Sequence, residues 1–327
     1  MNRLQTKYLG LTLKSPIVVS SSPYSSTLEH IIKAENAGAG AVVLKSIFEE
    51  QILAEIDNTA SYSDYPEAAD YLNAYITENS LATYISFIQQ AKARVDIPII
   101  ASVNCNAGGE WIKFARVIED AGADALELNI FHLPTDSNTT AQEIEKIYLD
   151  TVAAVRDAIT IPLTVKLAQG FTNPMYIAKE IYFRNAAGVT LFNRFYSPDV
   201  DINNLAIHSS NVWSNPSEIH NVIRWVGMIS SDVPMLDVAS STGVHSPEDV
   251  IKLMLTGAKA VQICSVIKEK GIGVIKEMNE FIIDWMRMNN KQTTSDFIGA
   301  LSYKSIPEIN GYERTQFMKY FSSNREY

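Results

Sequence analysis

Cysteine is scarce in this chain: Cys105 and Cys264 are the only two in 327 residues. Two thiols make neither a disulfide framework nor a zinc cluster. A reducing cytoplasm is the simplest compartment for such a protein. Basic charge is also short, with 27 Lys and Arg against 37 Asp and Glu, a net charge of −10 and a pI near 5.1. That excludes nucleic acid as a general partner, because a phosphate backbone demands a basic footprint. It also excludes attraction to an anionic membrane surface. No apolar run approaches the ~18 residues of a membrane-spanning helix. The opening stretch, MNRLQTKYLGLTLKSP, lacks the apolar core of a signal peptide. With 46% hydrophobic and 20% charged residues, what remains is globular, and the length allows two domains or one large α/β domain.

What is present is a rhythm of short β-branched runs: PIVVSSS (16–22), AVVLKS (41–46), IPIIASV (97–103), ALELNI (125–130), PLTVKL (162–167), GVTLFNR (188–194), PMLDVAS (234–240) and AVQICS (260–265). Their apolar residues are nearly continuous, which suits strands buried on both faces. Helix-length segments with three- and four-residue apolar spacing lie between them. TLEHIIKAENAG starts at a possible Thr27 N-cap and can close at Gly38, and EWIKFARVIEDAG ends likewise at Gly122. SPEDVIKLMLTG has Ser246 as cap, Pro247 at the first helical position, acids in the first turn and Gly257 at its end. The helix–glycine–strand unit recurs in ENAGAGAVVLKS, EDAGADALELNI and LMLTGAKAVQIC, and more loosely in RNAAGVTLFNR.

Eight strands alternating with helices predict a (β/α)₈ TIM barrel. A doubly wound open sheet is the alternative, but no GxGxxG fingerprint follows the first strand. No linker divides the chain, so one domain over 1–327 is expected. Residues 47–79 form the longest stretch without a barrel strand and hold Tyr62, Tyr65, Tyr71 and Tyr75. This insertion follows strand two on the face where barrel active sites form, and reads as a lid or an inert excursion. A helical tail, about 270–327, carries Met278, Phe281, Ile282, Trp285 and Met286 on one face, which core or dimer packing explains better than a cofactor box.

In a barrel, the C-terminal strand ends surround one pocket. Here they read Ser20–Ser21–Ser22, Lys45–Ser46, Asn104, Asn129, Lys166, Asn193–Arg194, Ser240–Ser241–Thr242–Gly243 and Cys264–Ser265. Eight small, polar or cationic ends in succession point to a polar ligand with an anionic part. The seventh and eighth clusters have phosphate-site character, although serine and glycine are common in ordinary turns too. Lys166 ends the apolar strand PLTVKL. A buried ammonium is costly without a partner, so a negative group must meet it, unless the side chain snorkels to solvent.

These motifs together resemble the dihydroorotate dehydrogenase family, FMN enzymes built on a (β/α)₈ barrel, from Lys14 to about Leu301. The fourth-strand stretch DALELN also resembles the dehydrogenase domain of dihydropyrimidine dehydrogenase. AGAGAVVLKS is similar to the family's second strand, whose Lys-Ser pair lies beside the flavin. GADALELN is similar to the fourth, whose asparagine contacts flavin and substrate. PLTVKL is similar to the fifth, whose lysine faces the flavin N1/O2 edge. STGVHSPEDVIKLMLTGAKAVQICSVI resembles the phosphate-binding end, and SDFIGAL the closing segment. The resemblance implies FMN, with Lys45 and Lys166 at its ring, Ser20, Ser21, Ser46, Asn104, Asn129 and Asn193 along it, and Ser241, Thr242, Gly243, Cys264 and Ser265 at its phosphate. It implies hydride transfer from dihydroorotate, a step of pyrimidine biosynthesis, with Lys45 and Lys166 in the catalytic set, a further electron acceptor of unknown identity, a homodimer, and no membrane or nucleic-acid partner.

The chain departs from the family on the substrate side. After the fourth-strand asparagine the family often reads Asn-Leu-Ser-Cys-Pro-Asn, whose cysteine, or a serine elsewhere, takes the substrate proton. Here Asn129-Ile130-Phe131-His132-Leu133-Pro134 puts His132 at the base position. Imidazole has suitable basicity, although an ordinary loop residue is the equal alternative. The family's Asn-Ser-x-Gly-x-x-Asn motif is not matched by Asn58 or Asn73, and Thr242–Gly243 stands where the family has two glycines. Two other readings therefore stand beside the enzyme. One is a flavin-binding barrel that uses a different small cyclic substrate or does not turn over. The other is a phosphate-sugar lyase or isomerase with Lys166 as Schiff base.

Overall fold

The computed structural model describes residues 3–48, 80–105, 111–194, 197–307 and 311–313. The chain opens with a hairpin of β1 (Thr6–Tyr8) and β2 (Leu11–Leu13). Eight strands then form the barrel: β3 (Ile17–Val19), β4 (Ala41–Val43), β6 (Ile99–Cys105), β7 (Ala125–Ile130), β8 (Leu163–Leu167), β9 (Gly188–Leu191), β12 (Asp237–Ser241) and β13 (Ala260–Ile263). They pair in parallel in chain order, β13 returns to β3, and β4 pairs with β6, which closes the ring. A two-residue β5 (Ile47–Phe48) pairs with the end of β6. The predicted (β/α)₈ barrel is the fold, and each of its eight strands falls on one of the eight β-branched runs.

The helices on the outside are α1 (Leu28–Asn36), α2 (residues 80–92), α3 (Trp111–Asp120), α4 (Ala141–Ala158), α5 (Pro174–Phe183), α6 (Ile219–Asp232), α7 (Pro247–Thr256), α8 (Ser265–Lys270) and α9 (Val274–Met288). The expected caps are present. Thr27 accepts from the His30 amide to start α1, and Ser246 and Asp249 form a capping box on α7 with Pro247 inside it. Gly38, Gly122 and Gly257 have positive φ after their helices. On α9, Met278, Ile282 and Met286 are fully buried while Phe281 and Trp285 pack against the same core, so that face is core. The tyrosine-bearing insertion lies outside the described residues from position 49 to 79.

Strand periodicity separates two cores. Ile17, Val19, Val42, Ile99, Leu126, Leu128, Val165, Val189 and Val261 belong to one buried cluster with the helices. Their alternates Val18, Ala41, Val43, Ile100, Ala125, Ala239 and Ala260 belong to another, inside the barrel, with Tyr8, Leu9 and Leu13 of the hairpin. The hairpin is thus a plug for the N-terminal end of the barrel. Tyr8 Oη meets Thr164 Oγ1 at 3.2 Å, the Leu9 amide donates to Asp237 Oδ2 at 2.7 Å, and Thr6 Oγ1 donates to the Lys259 carbonyl at 3.0 Å. The chain approaches itself so closely here that a Cβ on Gly40 would lie 1.8 Å from the Ser15 carbonyl. Sequence patterning placed strand one near Pro16 and left this hairpin unnoticed, because its strands are only three residues each. A second hairpin, β10 (Pro198–Asp201) and β11 (Ala206–Ser209), follows β9 and exposes Val200, Ile202, Leu205 and Ile207.

Candidate functional site

Above the hydrophobic plug the barrel interior turns polar. Glu127 on β7 is 0% exposed. A buried carboxylate needs compensation. Thr190 Oγ1 on β9 donates to its Oε2 at 3.0 Å, and Gln262 Nε2 on β13 donates to the same atom at 2.5 Å. Its Oε1 takes no hydrogen bond among the described residues, but lies 3.7 Å from the Lys166 ammonium on β8. Gln262 touches both charges. Its amide N–H faces the carboxylate, while its Oε1 accepts from Lys166 Nζ at 3.3 Å and from Ser20 Oγ at 3.1 Å. Lys166 also donates to Ser20 Oγ at 3.4 Å. The negative partner that PLTVKL demanded is therefore inside the barrel, on the neighbouring strand.

The sequence reading missed Glu127 and Gln262. A usable signal existed: Leu126 and Leu128 face the helices, so a period of two turns Glu127 inward together with Asn129.

Lys166, only 6% exposed, has its ammonium at the floor of a cavity at the C-terminal end of the barrel. The cavity holds about 850 Å³, counted out to its open mouth. Ten of the sequence-predicted residues line it: Ser20, Ser21, Lys45, Lys166, Asn193, Ser241, Thr242, Gly243, Cys264 and Ser265. Lys45 and Lys166 share this space. Burial lowers the basicity of Lys45, and the Lys166 charge reinforces it. Burial also raises the Cys264 thiol, against a Ser22 hydroxyl and the two lysines. The thiol is thereby a neutral wall of the site.

The remaining predicted residues stand off the lining. Ser46 is hydrogen-bonded to Ser21 and Ser102 at 2.9 and 2.8 Å. Asn129 accepts from Asn193 Nδ2 at 2.7 Å, which steers Asn193, and Asn104 is its register neighbour on β6. His132 lies beyond β7, partly buried, and its backbone hydrogen-bonds the Tyr148 phenol. Ser22 and Arg194, strand-end residues of the same sequence reading, also line the cavity, and the lining gains Trp213 and Ser214. Arg194 is held by Glu218 at 3.0 Å and by the Asn211 and Val212 carbonyls at 2.8 and 2.9 Å.

The loop after β12 turns with positive φ at Thr242 (80°) and Gly243 (77°), and Thr242 Oγ1 donates to the Phe192 carbonyl at 3.2 Å. A Cβ on Gly243 would lie 2.4 Å from the Ile219 amide nitrogen. Gly243→Ala is therefore expected to cost about 1–3 kcal/mol, read as a lowered denaturation midpoint together with weaker ligand binding. An unchanged midpoint would show that the turn relaxes freely.

As a set, two ammonium groups, several hydroxyls and a glycine turn suit a polar ligand with a negatively charged ring edge and a phosphate. The donor chemistry fits FMN: cations for the ring edge, and hydroxyls for the ribityl chain and phosphate. Among the described residues there is no cluster of His, Cys, Asp and Glu that could hold a metal, and no helix long and apolar enough to cross a membrane.

Comparison with known proteins agrees with the geometry. The family model described as dihydroorotate dehydrogenase matches residues 3–286. The chain is 26% identical over 313 residues to the dihydroorotate dehydrogenase B (NAD(+)) catalytic subunit of Pyrococcus horikoshii, covering 90% of this chain and 97% of that one. The same identity and coverage relate it to the protein of that name from Methanocaldococcus jannaschii. The Anoxybacillus flavithermus counterpart is 28% identical over 270 residues, covering 80% of this chain and 85% of that one.

Proposed function

Because the chain belongs to the dihydroorotate dehydrogenase family, oxidoreductases acting on CH–CH bonds, we propose that it uses FMN to oxidise dihydroorotate to orotate in pyrimidine biosynthesis. The observation that carries this reading is the meeting of Lys45, Lys166 and the hydroxyls of strands β3 and β12 and the loops after them in one cavity. FMN, when bound there, supplies the acceptor for a hydride from the substrate carbon.

The protein's part is placement and charge. Lys166 sets a cation where negative charge grows in the transition state, and it needs no reorganisation because Glu127, Gln262 and Ser20 already hold it. Lys45, with its basicity lowered by burial, donates from the loop after β4. Ser20, Ser21 and Asn193 would hold the ring, with Ser46, Asn104 and Asn129 behind them. Ser241, Thr242, Gly243, Cys264 and Ser265 take the phosphate. His132 is the proposed base for the substrate proton. It is the imidazole at the family's base position, although it stands outside the described cavity lining.

The relatives' names make NAD⁺, reached through a partner chain, the first electron acceptor to test. A homodimer belongs to the same reading, supported by the exposed apolar side chains of the β10–β11 hairpin.

The freshly purified protein is expected to show flavin absorption and to release FMN on denaturation. Anaerobic mixing with dihydroorotate should bleach the long-wavelength flavin band, and His132→Ala should slow that bleaching by about a hundredfold or more. A colourless protein that binds no added flavin would sink the reading. Flavin that dihydroorotate leaves oxidised would instead favour a different cyclic substrate. Arg194 and Trp213 in the lining motivate that second reading, because the family motifs of the substrate side are not matched in this chain and these two large side chains shape the cavity instead.

A further inference from the structure

Among the described residues that line the cavity there are three cations, Lys45, Lys166 and Arg194, and no carboxylate. The reading above gives the two lysines to the flavin ring. Arg194, just beyond β9 and mostly buried, is left without a task. A guanidinium is always charged and has five N–H donors. Here Nε–H is spent on Glu218 Oε2 at 3.0 Å, and Nη1 donates to the Asn211 and Val212 carbonyls at 2.8 and 2.9 Å. That leaves Nη2, whose two N–H groups have no partner among the described residues.

The clamp behind Nη2 is itself fastened. Glu218, just before α6, is held through its Oε1 by the Asn215 amide at 3.0 Å and by Asn215 Nδ2 at 2.9 Å. The loop that offers the two carbonyls is pinned one residue further on. Trp213 lies under the Lys268 ammonium, 4.6 Å from the ring centroid, and tilts against Tyr24 at 6.3 Å. The Ser214 amide donates to Ser265 Oγ at 3.0 Å, and the Ser214 hydroxyl sits between Ser265 Oγ at 2.9 Å and His245 Nε2 at 3.2 Å. A guanidinium fixed in this way loses little freedom when it binds, and its hydrogen bonds to an oxyanion are charge-assisted.

We propose that Arg194, through Nη2, receives the carboxylate of the substrate, so that the cavity selects cyclic substrates that carry a carboxylate over uncharged rings of the same shape. This inference rests on the function proposed above and names the substrate class of that site. The shared chemistry is an oxyanion, and the cofactor phosphate is the other oxyanion the site would hold. Charge and donors favour the carboxylate. The phosphate already has Ser241, Thr242, Gly243 and Ser265 in that reading, whereas the substrate side lacks the family's Asn-Ser-x-Gly-x-x-Asn motif. An anionic substrate in this chain therefore needs another donor, and Arg194 is the lining cation with donors to spare.

The test measures, by calorimetry on the purified flavoprotein, the affinities of orotate and of uracil, which differ by the carboxylate. The wild type is expected to bind orotate about tenfold to a hundredfold more tightly, the worth of a hydrogen bond to a charged group. Arg194→Gln should lose that preference and keep the uracil affinity, which checks that the cavity is intact. Arg194→Lys keeps a cation to meet Glu218 but has no second nitrogen to offer, so it should lose the preference as well, and it decides if Arg194→Gln fails to fold. A wild type without preference, or a preference kept in either variant, overturns the proposal. FMN and riboflavin affinities of the stripped proteins separate the two oxyanions: an FMN-to-riboflavin ratio that falls in Arg194→Gln, with the orotate-to-uracil ratio unchanged, assigns Arg194 to the phosphate and overturns the carboxylate assignment. A protein that binds orotate in an Arg194-dependent way but takes up no flavin would sink the cofactor reading and leave this inference standing. One that takes up flavin but shows no orotate preference does the reverse.

Discussion

Glu127→Ala is expected to destabilise the protein by about 3–5 kcal/mol, the cost of leaving one member of a buried ion pair without the other. Lys166 would keep Ser20 and Gln262 at 3.4 and 3.3 Å, but these are neutral dipoles and do not cancel its charge. Gln262 would in addition lose the carboxylate that fixes its amide, and Thr190 the acceptor for its hydroxyl. Thermal unfolding should move down by roughly 10 °C, taking a few degrees per kcal/mol for a domain of this size. Pairing the change with Lys166→Met tests the cause. If the charge left behind is the cost, the double variant should recover most of the loss, since buried pairs exchange for apolar residues at little or no cost. A single variant within ~1 kcal/mol of wild type would mean that water reaches Lys166 and the pair is not structural.

The second large effect falls on turnover. Lys166→Ala is expected to lower kcat with dihydroorotate by about 10²–10³, the range seen when one preorganised electrostatic donor is removed. FMN content should survive, because the other lining residues, Thr242, Gly243 and Ser265 among them, are unchanged. The flavin midpoint potential should drop in parallel, since the cation favours the reduced ring. Lys166→Ala also leaves Glu127 uncompensated, so Lys166→Met with Glu127→Gln serves as the charge-balanced control and should show the same kinetic loss at higher stability. Turnover unchanged in that double variant would remove Lys166 from the catalytic set.

Much of this molecule is written locally. Continuous apolar runs such as IVV at 17–19 and AVV at 41–43 become barrel strands because both faces are buried. Ser246-Pro247 and Gly257 bound a helix because capping is decided within one turn. Ordering eight such strands in a ring then brings their C-terminal ends together whatever the loops contain, so Lys45, Lys166, Thr242 and Cys264 could be assigned to one cavity from spacing alone.

The partners of those residues were decided elsewhere. Glu127, Thr190 and Gln262 are separated by 63 and 72 positions in the chain and meet only when β7, β9 and β13 close around one axis. The same holds for Ser214 and His245, 31 positions apart on two loops, and for Tyr8, whose hydroxyl finds Thr164 across 156 positions. Hydrophobic periodicity reports which face of a strand is inward, because burial is a property of each residue and its near neighbours. It cannot report which inward polar groups compensate one another, because that match depends on register and distance across the closed barrel. The sequence by itself determined the barrel and the polar rim of its mouth. Only the tertiary structure decided which carboxylate neutralises Lys166 and which imidazole stands behind Ser214.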